Sequence, residues 1–544
     1  MSQSKPWIRG LAAASAMLPA VGAQAVQYDI GGTQINVGGY LRQYVSTNLS
    51  DNKDLSGDQK FDISMLRSVV QVNADAQLGD VFVKAIGRVA REPLTSYSED
   101  LEDLHNARFG GAPFFVSRKT DFNDQYNEDE LREFYIAFPL GKRLDFTIGR
   151  QQVVWGETDF FQAMDIVQGY DFRWRAFLEP ENEDTRRPLA MINTLIKVPE
   201  LNGTMQVLLR PGGWGRDHDI GSLYDAFGGR WAAQKDRGTD ILSFLRYNYR
   251  HSDGDVEDTT WGLRWSGQAG PVQYTLNYLK WFATDPVVDS VWNPSTSDPS
   301  DLKGLWGSLY FPKVSTYGFT ASAYNGFTDA VWATEVAFTK DKPYNMLGSP
   351  DNCPGGGTGC LGTLAGQPLP TLGGIVNYDT LRVMLRMDKL LNTDRGFLRT
   401  ARPALFSVQL FDTWLMGYNP RPFNDPRAVG DLLGHASVKK EHSTVATAIL
   451  ALNYRYDTIN PTFAAGWDPS NNGGFVIPSV DLVYGEHWRI RFEADLFFHD
   501  GDSKFADNFA IGGTPPSWTG TKDTHLFGTL ANNNQFLARL TYQF

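Results

Sequence analysis

The sequence predicts an all-β fold, an antiparallel barrel of about 18 strands (range about 16–20) that crosses a membrane. Three observations carry this. Strand-length segments alternate apolar and polar residues along the whole chain. Their connections are alternately tight and long. The C-terminal run Gln535-Phe536-Leu537-Ala538-Arg539-Leu540-Thr541-Tyr542-Gln543-Phe544 alternates without a break.

The two ends define the expected compartment. Lys5 and Arg9 make a positive n-region, Leu11 to Val21 is a short apolar stretch, and Ala23-Gln24-Ala25 fits a small-x-small cleavage site. Residues 1–25 are therefore expected to be a cleaved export signal and residues 26–544 the barrel. An uncleaved N-terminal anchor is the competing reading, but the apolar stretch falls short of the roughly 20 residues a spanning helix needs. Cleavage would move the net charge from −12 to −14, because the segment holds two bases and no acid. So acidic a chain is a poor match for nucleic acid. In the C-terminal run, Phe536, Ala538, Leu540, Tyr542 and Phe544 point one way, while Arg539, Thr541 and Gln543 point the other. A closing strand that ends on an aromatic residue resembles those of bacterial outer-membrane proteins, and the resemblance implies that the barrel assembly machinery reads Phe544. The 34 Phe, 22 Tyr and 15 Trp suit the aromatic girdles of such barrels. Outer-membrane lipid, including lipopolysaccharide, is then the expected surrounding.

Tight hairpins are expected for Val70–Leu78 with Val81–Val89 at Gly79-Asp80, and for Leu131–Phe138 with Leu144–Gln151 at Gly141-Lys142. Two more join Thr260–Ser266 to Val272–Leu279 and Ile477–Tyr484 to Trp488–Phe498. Single strands are expected at Gln34–Thr47, Leu189–Val198, Thr204–Leu209, Tyr317–Tyr324 and Val331–Thr339. The others fall at Tyr378–Met387, Ala404–Thr413, Val445–Tyr456, Pro461–Trp467 and Gln535–Phe544. Ile241–Arg250 and Leu305–Phe311 fit either strands or structure within outer loops. The stretches 93–129, 153–187, 211–238, 341–374, 416–441 and 500–532 are long enough to fold inward or cap the mouth. Glu99 to Asp103 makes the first of them acidic, which reads as a solvated surface or, alternatively, as cation recruitment.

Alternation also sorts the two faces. A charge facing lipid at mid-bilayer costs roughly 2–4 kcal/mol. Trp488, Ile490, Phe492, Ala494 and Leu496 therefore face lipid, while Arg489, Arg491, Glu493 and Asp495 face the lumen beside Arg539. The same argument places Arg42, Asp75, Lys84, Arg88, Glu133, Asp145, Arg264, Glu335, Arg382 and Arg386 inside. Two consequences stay open: a transverse field across a constriction, or a self-neutralising network of ion pairs. Some inward positions are apolar: Phe82, Ile86, Leu405, Phe411, Val445 and Ile449. They either line an apolar path or pack against an inserted loop or N-terminal plug. Along Val445–Tyr456, Ala446, Ala448, Leu450, Leu452 and Tyr454 take the lipid face.

Catalytic patterns are missing. The chain has no Gly-x-Ser-x-Gly elbow, no His-Glu-x-x-His and no phosphate-binding loop. Gly357 to Gly362 matches Gly-x-Gly-x-x-Gly, but no strand feeds it and no helix follows. Asp51 to Asp54 and Asp500-Gly501-Asp502 lack the spacing of a calcium loop. His442-Ser443 is a weak lipase-like pair, because neighbours on a strand point apart. Cys353 and Cys360 are expected to form one loop-stapling disulfide in an oxidising compartment; further zinc ligands are absent nearby. No cofactor is expected.

One set of runs goes beyond barrel generalities. It starts with Gly149-Arg150-Gln151 and Trp155-Gly156-Glu157. Asp171-Phe172-Arg173-Trp174, Leu178-Glu179-Pro180 and Arg186-Arg187-Pro188 follow. Tyr317-Gly318-Phe319, Glu335-Val336-Ala337-Phe338 and Lys342-Pro343 complete it. In this order they resemble a family of proteobacterial outer-membrane proteins classed as a domain of unknown function. The resemblance implies a periplasmic lipoprotein-like partner and an inner-membrane transporter of the resistance-nodulation-division type, hence traffic of lipids, sterols or other hydrophobic compounds. It carries no catalytic residues. Independently of it, the wall is expected to end at Gln151, and the charged segment after Trp155 to fold into the lumen and pair with the inward clusters. The expected function is passage of a small hydrophobic or amphipathic solute. A hydrophilic selective porin and an outer-membrane lipid or ester hydrolase are the alternatives.

Overall fold

Period-two alternation makes each strand a two-faced ribbon, and in the computed structural model those ribbons close on themselves. The structure describes residues 26–30, 33–51, 55–109, 123, 126–158, 161–175, 177–223, 255–289, 308–347, 363–364, 367–368, 372–419, 426–427, 440–499, 527, 530 and 533–544. The wall begins with β1 (Thr33–Asn48), β2 (Ile63–Leu78), β3 (Val81–Arg91), β4 (Glu128–Leu140), β5 (Leu144–Gln151) and β6 (Leu189–Val198). It continues through β7 (Gly203–Arg210), β8 (Thr260–Ala269), β9 (Val272–Phe282), β10 (Lys313–Asn325), β11 (Ala330–Leu347) and β12 (Leu372–Leu391). β13 (Ala404–Met416), β14 (His442–Ala451), β15 (Ile459–Asp468), β16 (Gly473–Tyr484), β17 (Trp488–His499) and β18 (Gln535–Gln543) complete it. Each strand pairs antiparallel with its sequence neighbours, and β18 pairs back onto β1 from Tyr40↔Gln543 to Asn48↔Gln535. Eighteen strands form the closed ring, each at a predicted position.

Closure removes the open edge that a flat sheet would present. At the seam, the amide of Phe544 donates to the Gly39 carbonyl (3.0 Å) and the amide of Gly39 donates to Phe544 O (2.8 Å). A Cβ at position 39 would overlap the Gln71 carbonyl, so glycine allows the strands to approach there. Two short strands join the sheet outside the ring. Val26–Ile30 folds back on Thr33–Val37, and Pro426–Arg427 pairs with Asn345 and Met346. The residues after Val26 are thus part of the sheet and do not plug the lumen.

Several sequence expectations are adjusted. β14 ends at Ala451, where the chain turns: Arg455, Tyr456 and Asp457 adopt positive φ and Tyr454 makes one bridge to Ile459. Leu452 and Tyr454 therefore lie past the strand. Within Leu305–Phe311, Ser308–Tyr310 pairs with Val287–Asp289 as loop structure and not as wall. The acidic run lies in a helix, α1 (Ser96–Phe109), with Tyr97 and Leu101 buried and Glu99, Asp100 and Asp103 exposed. Asp51 accepts from the amides of Gln59 and Lys60, a turn cap. Residues 1–25, Ile241–Arg250, Gly357 to Gly362, Cys353, Cys360 and residues 500–502 lie outside the described residues.

Outside, the barrel presents apolar residues such as Val70, Val72, Leu276, Phe319, Leu385, Leu410, Phe463, Phe492 and Leu540, all substantially exposed. All lie on the face opposite the charged set. Inside, the wall encloses the stretch between β5 and β6.

Candidate functional site: the lumen and its inserted segment

Every charged residue assigned to the lumen by alternation sits on that face. Arg42, Arg88, Glu133, Glu335, Glu493, Asp495 and Arg539 are buried there. Arg264, Arg382, Arg386, Arg489 and Arg491 share the parity of buried inward neighbours on their strands. Their partners come largely from residues 152–188, which leave the wall after Gln151 and fold inward as the sequence suggested.

The segment is fixed first at its Trp-Gly-Glu turn. Trp155, 1% exposed, enters the lumen core with Met164, Leu279 and Trp281, and its indole Nε1 donates to Gln206 Oε1 at 2.9 Å. Glu335 of β11 accepts from the amides of Glu157 and Met164, the latter at 2.8 Å. Gly156 permits this: a Cβ would stand 2.7 Å from the Asp165 amide nitrogen. Arg264 and Arg386 donate to the carbonyls of Val154 and Glu157 at 3.0 and 2.7 Å. Gly318 of β10 leaves room for the Met164 thioether. Gln151 and Arg150 tie the departure point, Gln151 Nε2 to the Met191 carbonyl and Arg150 to Glu130 at 2.6 Å.

Farther along, the segment meets the opposite wall through ions. Asp184 pairs with Arg42 and Arg88, both at 2.5 Å, and accepts from the Tyr40 hydroxyl. Arg539 pairs with Glu179 at 2.6 Å and Glu181 at 2.7 Å. Arg175, with no side-chain exposure, pairs with Glu493 and lies 3.9 Å from Asp495. Trp174 packs on Tyr44 (centroids 5.3 Å) and under the Arg67 guanidinium (4.7 Å). Carboxylate oxygens of Glu179, Glu181 and Asp184 lie within 4.8 Å of one another; the guanidiniums of Arg42, Arg88 and Arg539 supply the opposing charge.

Burial and charge divide these acids. Burial pushes the Glu179 carboxyl up to about 7, although Arg539 and Arg175 pull the other way. Burial also opposes ionisation of Asp184, but Arg42 and Arg88 overcome it and hold the carboxyl below its ordinary range. Arg539 likewise holds Glu181 down against burial.

The lumen thus carries a network of matched charges rather than two opposed arrays. Each inward charge would cost several kcal/mol if buried without its partner, and the segment in its seat supplies opposite charge to Arg42, Arg88, Glu493 and Arg539. Arg491 pairs within the wall with Asp481 at 2.5 Å, Lys84 lies 3.9 Å from Glu133, and Arg382 lies 3.4 Å from Asp285.

Three of the apolar inward positions, Phe411, Val445 and Ile449, meet the same segment, whereas Phe82 packs on Tyr135 of the neighbouring β4. Phe411 packs edge-on to Phe161 (5.7 Å), and Val445 and Ile449 join the cluster of Phe161, Phe177, Phe475, Phe497 and Phe527. For these three positions, packing against an inserted loop is the reading observed. Leu405 shares that face but is 37% exposed and stands outside the cluster.

The family-like runs acquire a common meaning here. Trp155, Gly156, Glu157, Trp174, Glu179, Gly318 and Glu335 are contacts between the segment and the wall. Arg186 is an internal brace, pairing with Asp165 at 2.6 Å, and Arg187 donates to the Gly221 carbonyl. Sequence reasoning missed Arg175, Asp184 and Phe161, whose only signal was charge and aromatic content in a long loop. On the outer wall, His442 Nδ1 lies 2.9 Å from Asp412 and the Thr444 hydroxyl donates to the same carboxylate at 2.8 Å. Ser443 points to the other face, as expected for its neighbour.

A closed ring of antiparallel strands, apolar outside and charged within, defines an outer-membrane β-barrel, here with a segment of its own chain seated in the lumen. The chain belongs to the family described as "Protein of unknown function (DUF1302)", whose model matches residues 7–544. No curated protein matches. Among solved structures it is similar to OccAB2 of Acinetobacter baumannii, with 8% identity over 94% of this chain and 98% of that one and a TM-score of 0.44. The outer membrane channel DcaP of Acinetobacter baumannii gives 9% identity over 96% and 100%, with a TM-score of 0.36. Salmonella typhi OmpF in complex with daunomycin gives 8% over 95% and 100%, with a TM-score of 0.39.

Proposed function

We propose that the protein is an outer-membrane channel for a small hydrophobic or amphipathic solute, with residues 152–188 as the internal element that the solute displaces. The observation that carries the solute class is the two-sided lumen. Phe161 and Phe177 rest on Phe411, Phe475 and Phe497, while charged contacts of the same segment lie on β1, β3, β11 and β18, and Arg175 meets Glu493 on β17 beside the aromatic cluster. A solute that parts the aromatic interface finds apolar surface on both sides, with polar groups close by for a head group. A water-filled sugar or ion pore gains nothing from such a cluster. Cooperation with an inner-membrane transporter of the resistance-nodulation-division type and a periplasmic lipoprotein-like protein belongs to the same proposal.

The test compares cells lacking the protein, cells with the wild type, and cells with Phe411→Asp plus Ile449→Asp. Entry of an apolar fluorescent amine should fall in the first and third, because a carboxylate left unpaired in that cluster costs several kcal/mol. Sugar entry should be unchanged. Large unselective ion conductance by the wild type, unaltered in the double variant, would instead establish the hydrophilic pore. Ester or phospholipid hydrolysis by pure protein would replace both readings with an enzyme.

A further inference from the structure

The geometry points to a binding site on the outer wall, at the rim where long loops leave β9, β10 and β11, for the phosphate groups of the outer-leaflet glycolipid. Cross-strand register puts Lys280, Ser315 and Lys340 in one row, through Lys280↔Ser315 and Ser315↔Lys340. All three share the face of the exposed Leu276, Tyr317 and Phe319, opposite the buried Thr316, Thr320 and Leu279. Lys280 and Lys340 are exposed and two strand spacings apart, about 10 Å.

The row below is aromatic: Tyr278, Tyr317 and Phe338 follow one another with centroids 5.0 and 6.4 Å apart, and Trp261, in register with Lys280, packs diagonally on Tyr278 at 5.0 Å. Such rings mark the level where acyl chains give way to head groups. The Tyr278 hydroxyl reaches Ser315 Oγ at 3.4 Å, so the polar edge of the belt meets the basic row directly. Above it, Lys313 donates to the carbonyls of Glu257 and Thr259, which adds a third positive charge at the rim. Acids also stand beside the row: Asp341 lies 3.9 Å from Lys340, Asp379 accepts from the Asp341 amide, and Asp255 and Asp258 act on Lys313.

Charge, height and chemistry select the occupant. A flexible ammonium is a point-charge binder of phosphate, and this face at this level meets only lipid. The tight-turn side of the barrel is periplasmic in such proteins, so the row faces the outer leaflet. There the phosphorylated lipid is lipopolysaccharide, whose lipid A disaccharide carries phosphate groups above its acyl chains. The inferred arrangement seats those acyl chains on Leu276 and Phe319 and the phosphates against Lys280 and Lys340.

The site is tested on the full-length protein in detergent by native mass spectrometry with bisphosphorylated lipid A, dephosphorylated lipid A and phosphatidylglycerol as probes. The wild type should retain bisphosphorylated lipid A preferentially. Lys280→Gln with Lys340→Gln should weaken that binding about thirtyfold, from the usual contribution of a base near an anionic membrane surface. Lys142→Gln, in a tight turn at the other end, should bind as wild type. Heat-modifiable migration on gels checks that each barrel is folded. Equal retention of the dephosphorylated probe, equal retention of phosphatidylglycerol, or unweakened binding by the folded double variant would each overturn the site.

Discussion

Glu179 and Asp184 lie close together in the inserted segment and meet the same wall, yet their surroundings treat them oppositely. Asp184 faces Arg42 and Arg88, which favour its charged form. Asp184→Asn would leave those two buried guanidiniums short of a partner, a loss of about 3–5 kcal/mol for breaking a buried pair. The segment should then leave its seat, seen as faster cleavage by a protease added to native barrels. Glu179→Gln should cost much less, because burial already favours the neutral acid. The pH signs follow. The Glu179 carboxyl is raised from its ordinary 4.5 to about 7, so its contribution to seating is full below the ordinary value and lost as pH rises through about 7. That of Asp184 is present above its ordinary value and lost as pH falls through its depressed one. Protection of the segment should therefore weaken from mildly acid to mildly alkaline solution, and Glu179→Gln should flatten that slope. An unchanged slope would detach Glu179 from the effect.

At the scale of elements, the strand wall and the inserted segment are separable. Gln151 and Leu189 face one another across β5 and β6, so a short turn can join those strands without the intervening residues. Replacing residues 153–187 with such a turn leaves every strand pairing in place. The inward charges would then meet water instead of the segment, so they need no protein partner. The shortened protein should assemble as a barrel and conduct ions far better in planar bilayers than the wild type. Equal conductance would mean that the segment does not restrict the path. This division also explains what the sequence made legible. Period-two alternation is local, so all eighteen strands and the face of the charges assigned to the lumen could be read from neighbours alone, though not that Arg132 is buried beside Glu133 at the bulge between β3 and β4. Which acid meets which base depends on the far side of the ring. Nothing near Arg539 in sequence announces Glu179, and nothing near Glu493 announces Arg175. The choice between matched network and transverse field thus required the fold. The length of β14 was misread for a local reason: alternation in Leu452 to Tyr456 continues through a turn whose positive φ angles no hydropathy pattern reveals.

For the whole molecule, the decisive contact is the seam that turns a sheet into a barrel. It is made by β1 and β18, the first and last strands of the ring, so it can close only after every other strand is in place. Phe544 extends this seam by one reciprocal pair with Gly39. Net contributions of about 0.5–1.5 kcal/mol for each hydrogen bond make its thermodynamic share small beside the nine cross-strand pairs from Tyr40↔Gln543 to Asn48↔Gln535. Phe544→Asp should therefore lower the melting temperature of an assembled barrel only slightly. Its effect on assembly should be much larger, because an unclosed strand that presents a carboxylate in place of the terminal aromatic residue loses the apolar alternation expected to guide insertion. The two effects separate by measuring outer-membrane levels in cells and thermal unfolding of protein refolded into detergent. Strongly reduced levels with near-normal unfolding assign Phe544 to assembly. Normal levels would leave it only the seam, and a large drop in melting temperature would make the seam itself the weak point of the ring.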